Sequence, residues 1–102
     1  MPNNYIKIFG DDKMRFDLEY ITKYIDNKIE ENDKLIKITF YELRVKEKLS
    51  EEQTQCFLRL SKQRLKNLGY RIYNSGDYYL ENGEKKLIQN NIFYIALKIE
   101  KE

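Results

Sequence analysis

Gln55, Arg59, Lys62 and Lys66 follow one another at steps of four, three and four residues, the spacing that puts side chains on one face of a helix. Guanidinium and ammonium groups pair with phosphate oxygens, and Gln or Arg can hydrogen-bond the edges of adenine or guanine. A second group follows, with Arg71, Tyr73, Asn74, Ser75 and Tyr78, then Lys85, Lys86, Gln89, Asn90 and Asn91. The distribution of charge picks out the same regions. Residues 1–50 carry ten bases and ten acids, whereas residues 53–76 carry five bases (Arg59, Lys62, Arg64, Lys66 and Arg71) and no acid. Residues 85–99 carry three more, Lys85, Lys86 and Lys98, again without an acid. Acid-free basic stretches of this kind suit a polyanion, although solvation of exposed faces would place Lys and Arg there as well.

Other chemistries have little to work with. The 102 residues contain no histidine and one cysteine, Cys56, so no disulfide, no thiolate or imidazole zinc site and no Ser-His or Cys-His pair can form within the chain. Acids that could hold a metal through carboxylates alone are scattered over expected helix surfaces. No catalytic residue, metal site or cofactor is therefore expected, and the chain is not expected to be an enzyme. Cys56 reads as a small buried hydrophobe. The longest apolar run, residues 92–97, is too short for a membrane span, and the polar start lacks the pattern of a secretory signal, so a cytoplasmic protein is expected.

The elements that must position these residues can be read from periodicity. Met14, Leu18, Ile21, Tyr24, Ile25 and Ile29 repeat at helical spacing, which predicts a helix over about residues 13–31, capped by Asp11 or Asp12 and ending at Asn32-Asp33. Residues 34–39 alternate as a half-buried strand. Thr39 and Glu42 form a capping-box pattern that opens a second helix to about Leu49, and Ser50 and Gln53 repeat it at once for a third. The third helix has the apolar stripe Thr54, Phe57, Leu58, Ser61, Leu65 and Leu68, and Gly69 stops it. A strand at residues 70–73 follows. Asn82-Gly83 is the strongest of three turn signals, because both residues tolerate the positive φ of a type I′ hairpin. Residues 92–99 form a closing strand apolar on both faces, suited to burial inside the fold or against a second subunit. Residues 4–9 contain a further short strand or arm, and the whole of 1–102 reads as one domain of the α+β class.

Helix, short strand, two tightly joined helices, hairpin and closing strand is an order that resembles the winged helix-turn-helix DNA-binding family. The resemblance rests on Ile38-Thr39-Phe40-Tyr41-Glu42-Leu43, a strand running into a capped helix, and on Leu65-Lys66-Asn67-Leu68-Gly69-Tyr70-Arg71-Ile72-Tyr73, a recognition-type helix turning into a wing. More narrowly, the chain resembles the small winged-helix relaxosome accessory proteins of low-GC Gram-positive conjugative plasmids. The abundance of Lys, Ile, Tyr and Asn, all with AT-rich codons, agrees with such a source. The resemblance implies a homodimer that binds repeated sites in double-stranded DNA at a plasmid origin of transfer, together with other relaxosome proteins.

Within that frame the third helix offers direct readout, but Glu51 and Glu52 at its start would repel phosphates. The main contact is therefore expected on the wing. Arg71 and Tyr73 share a strand face, Lys85 and Lys86 could neutralise phosphates, and Gln89, Asn90 and Asn91 could read a narrow A·T-rich minor groove. Turn chemistry explains Asn82 and Asn90 equally well. Tyr73 and Tyr78 are expected contacts, whereas Tyr70, Tyr79 and Tyr94 fit a core or an interface. A regulator of transcription or replication would use the same contacts, and a winged-helix module that docks an acidic protein is the alternative outside DNA binding.

Overall fold

The structure, a computed structural model, describes residues 19–100. Its elements run α1 (Ile21–Glu31), β1 (Leu35–Thr39), α2 (Tyr41–Lys46), α3 (Glu51–Asn67), β2 (Tyr70–Asn74), β3 (Tyr78–Glu81), β4 (Glu84–Leu87) and β5 (Ile92–Lys98). The fold is α+β, with helices on one face of an antiparallel sheet. The expected cap at Asp11 and Asp12, the start of the first helix and the strand or arm at residues 4–9 lie outside the described residues.

α1 buries Ile21 and Ile25 and half-buries Tyr24 and Ile29, the stripe its periodicity requires. Each fully buried Ile contributes about 1.5–3 kcal/mol. Asn32 ends the helix, and its side-chain oxygen accepts from the Lys34 and Leu35 amides at 3.0 and 3.3 Å, turning the chain into β1.

The α2 segment departs from expectation. The capping box is present, with the Glu42 amide donating to Thr39 Oγ1 at 3.2 Å and the Thr39 amide to Glu42 Oε2 at 3.3 Å. Yet the segment is π-helical and stops at Lys46 instead of running as an α-helix to Leu49. Its wide turns are closed by Glu47 N–H donating to the Glu42 carbonyl and Leu49 N–H to the Leu43 carbonyl, and Lys48 takes φ 59°. This path brings both Leu43 and Leu49 into the core across a short connection. α3 then begins on the expected Ser50–Gln53 capping box and ends at Gly69, whose φ of 94° is open to glycine at little cost.

The sheet order is β1-β5-β2, with β5 antiparallel to both neighbours. Ile36, Ile38, Tyr70, Tyr94 and Ala96 face the helices and join Phe57, Leu43 and Leu65 in the main core. A bulge pairs Ile38 with Tyr94 but Thr39 with Ile92, leaving Phe93 as the extra residue. Phe93 consequently packs towards the helices beside Tyr94. The other sheet face carries Ile95, which is covered from within the same chain by Tyr79 and Ile88 of the hairpin region. The doubly apolar character of β5 is thus explained by burial inside the fold. β3 and β4 pair across Asn82-Gly83, with φ of 55° and 81°, the expected hairpin tip.

Candidate nucleic-acid interface

The sequence-expected residues fall on three surfaces. The first is the exposed face of α3, where Gln55, Arg59 and Lys66 reach solvent. Lys62 is half-buried, and its ammonium lies 5.4 Å from the centroid of the Tyr94 ring. Burial, with a smaller effect of the Lys66 charge, holds the Lys62 ammonium below the usual lysine range. Tyr94 is fixed in turn by its hydroxyl, which donates to Ser61 Oγ at 2.7 Å with both residues fully buried. Burial pushes the Tyr94 phenol upward, the nearby Glu42 charge adding to this and the Ser61 hydrogen bond partly opposing it.

The second surface is formed by the turns at the end of β2 and the start of β5, where Asn74 pairs with Tyr94. There the Asn74 amide donates to Asp77 Oδ2 at 2.8 Å, the Ser75 amide to the Phe93 carbonyl at 3.3 Å, and Ser75 Oγ to the Gln89 carbonyl at 3.4 Å. The Asn91 carbonyl accepts from the Phe40 amide at 2.8 Å. Asn74, Ser75, Gln89, Asn90 and Asn91 are all exposed. The Ser75–Gln89 and Gly76–Ile88 hydrogen bonds therefore bring the two polar turns together.

The third surface lies on the far side of the sheet. Ile72 faces the helices while Tyr73 packs on the Ile95 side, so Arg71 and Tyr73 project away from α3, as their alternation requires. The hairpin lies on this side too. Lys85 rests 4.9 Å from the centroid of the Tyr78 ring, and Lys86 pairs with Glu81 at 3.3 Å. With Asp77, Glu81 and Glu84 against Lys85 and Lys86, residues 77–87 hold three acids and two bases. That surface is not a concentrated positive field.

Two further charges counted along the sequence are engaged in space. Arg64 pairs with Asp26 of α1 at 2.8 Å, and Lys98 lies 5.3 Å from the Tyr70 ring centroid. Tyr70, Tyr79 and Tyr94 are buried, whereas Tyr78 is exposed.

Sequence reasoning missed Phe40, Arg44 and Phe93 at the turn end. The Phe40 and Phe93 rings stand 5.9 Å apart, and the Arg44 guanidinium lies 5.6 Å from the Phe40 centroid. An i, i+4 spacing of Phe40 and Arg44 at a helix start was the available signal.

A cleft of about 480 Å³ opens between α1 and α2. Two of the carboxylates lining it are engaged within the fold: Glu42 accepts from the Tyr24 hydroxyl and pairs with Lys28 at 2.9 Å, and Glu47 accepts from the Tyr20 hydroxyl at 2.5 Å. These bonds tie α1 to α2. Among the described residues no cluster of three His, Cys, Asp or Glu is placed to hold a metal ion, and no helix is long and apolar enough to cross a membrane. No protein-family model, curated protein or solved structure matches the chain.

Proposed function

We propose that this protein is a winged helix-turn-helix domain that binds double-stranded DNA in a sequence-specific manner, as a homodimer and without chemistry of its own. The single observation that carries the reading is the exposed polar and basic α3 face of Gln55, Arg59 and Lys66, with Lys62 lying over the Tyr94 ring of the central strand. The supporting topology is a helix, a first strand, two helices joined by a four-residue turn, and a sheet in which the closing strand lies between the other two. The β3–β4 hairpin is then an elaboration of the wing.

Contacts centre on the wing turns, with Arg59, Lys62 and Lys66 supplying phosphate neutralisation and Gln55 and the turn amides supplying base readout. Lys85, Lys86, Arg71, Tyr73 and Tyr78 take a secondary part, because they lie on the other sheet face and Lys86 is already paired. The resemblance to TcpK, a relaxosome accessory protein, favours a role at repeated sites of a plasmid origin of transfer, acting with other relaxosome proteins in the cytoplasm. A promoter or replication site would engage the same surface.

Selection of duplexes from a random-core pool, followed by gel-shift titration with excess competitor DNA, tests the reading. Enrichment of a common site, bound more tightly than mixed sequence by the 10³-fold or more typical of specific recognition, is expected. No shift at low or moderate salt would overturn it. In that event the exposed Tyr78, Leu80 and Leu87 of the hairpin, beside its mixed charges, would favour a protein-docking module.

A further inference from the structure

Phe40 is a large apolar side chain left 45% exposed at the start of α2. Its position is fixed on three sides. The backbone N–H is held by the Asn91 carbonyl at 2.8 Å, the Phe93 ring packs at 5.9 Å with planes tilted by 37°, and the Arg44 guanidinium covers it at 5.6 Å. The β5 bulge makes this possible, since it leaves Phe93 without a partner in β1 and packed towards the helices. A mobile surface phenylalanine needs no such support.

The surroundings identify what the exposed edge would meet. Phe40 is bonded directly to the Gln89–Asn91 turn, Phe93 to Ser75, and the neighbouring Tyr94 carries the Lys62 ammonium. An apolar edge is thus set beside exposed amide-bearing residues, with the Arg44 guanidinium over its ring. Proteins that bend DNA from the minor groove use this combination, in which an apolar side chain enters a base step while Arg, Asn or Gln hold the groove and backbone.

We infer that Phe40, braced by Phe93 and Arg44, is a wedge that partly unstacks one base step of the bound duplex and bends it. The inference rests on the DNA-binding reading and adds a deformation to it. Pyrimidine–purine steps unstack most readily, so TA or CA steps are the expected points of entry. Specificity at such a step would arise without any hydrogen bond to its bases.

The experiment uses the duplex retained from the random-core pool, carrying donor and acceptor dyes at its ends and, in a second preparation, 2-aminopurine in place of adenine at each pyrimidine–purine step in turn. Wild type should shorten the end-to-end distance to that of a bend in the range of about 20–90°, and should raise 2-aminopurine fluorescence at one step per half-site. Phe40→Ala should keep affinity within about tenfold of wild type while losing both signals. Phe40→Leu, still an apolar wedge, should retain them, and Tyr41→Ala, which removes the exposed aromatic next along the chain, should leave them unchanged. Phe40→Gln serves as a second variant held to the same outcome as Phe40→Ala, should the latter fail to fold by circular dichroism.

A wild-type protein that binds the duplex without bending or unstacking it overturns the wedge while leaving DNA binding intact. Bending unchanged in Phe40→Ala or Phe40→Gln overturns it equally. Retention of no duplex at all would defeat both the wedge and the reading beneath it.

Discussion

The Ser61–Tyr94 hydrogen bond anchors α3 to the central strand of the sheet beside the point where Lys62 lies over the Tyr94 ring, and its contribution can be measured. Tyr94 donates to Ser61 Oγ at 2.7 Å, and Ser61 donates to the Leu58 carbonyl at 3.3 Å, with both side chains fully buried. Ser61→Ala strands the Tyr94 hydroxyl in the core, which should cost about 1–3 kcal/mol. Tyr94→Phe removes the donor but strands nothing, because Ser61 keeps its bond to Leu58, and should cost about 0.5–1.5 kcal/mol. In the double variant no phenol remains to be stranded, so its cost should fall below the sum of the singles by about 1 kcal/mol.

Urea unfolding followed by circular dichroism at constant m-value gives these differences. Strict additivity, or a Ser61→Ala cost below that of Tyr94→Phe, would refute the reasoning. Tyr94→Phe retains the ring beneath Lys62, so it should leave duplex affinity nearly unchanged, whereas Tyr94→Leu should lower it.

Lys66→Ala should reduce the slope of log affinity against log salt by about 0.9, one phosphate contact, in a fluorescence anisotropy titration. Lys86→Ala should change it far less, because Glu81 already engages that ammonium. Gly83→Ala and Asn82→Val each force a side chain to fit positive φ at the hairpin tip and should cost about 1–2 kcal/mol in urea unfolding, the β-branched variant more. Arg64→Ala should cost about 0.2–1 kcal/mol and leave duplex affinity unaltered, since its partner Asp26 lies on α1 and the pair is substantially exposed.

Local features were the most legible in the sequence. Ser50 with Gln53, Thr39 with Glu42, Gly69 and Asn82-Gly83 each act through backbone geometry within a few residues, and their signals correspond to observed caps and turns. The π-helical path of α2 was not legible, because it depends on Leu43 and Leu49 reaching the same core. Charge along the chain was a partial guide to charge in space. Arg64 finds Asp26 at a separation of 38 residues. The acids Asp77, Glu81 and Glu84 fall between the two acid-free stretches yet share the hairpin with Lys85 and Lys86. Alternation along β2 sets which residues share a face, and packing decides which face meets the helices. Arg71 and Tyr73 therefore part from Asn74 and Ser75 in space although they adjoin them in sequence.

The salt dependence of binding to the selected duplex tests most directly that the α3 face and the wing turns form a DNA surface. If Arg59, Lys62 and Lys66 each make one phosphate contact in a proposed dimer, at about −0.9 each, a log–log slope of about −2.7 per protomer or steeper is predicted. Combined alanine substitution of the three should reduce the slope by about 2.7 per protomer with the fold intact. A wild-type slope near zero, or a slope that survives this substitution and vanishes instead with Lys85→Ala and Lys86→Ala, would contradict the account.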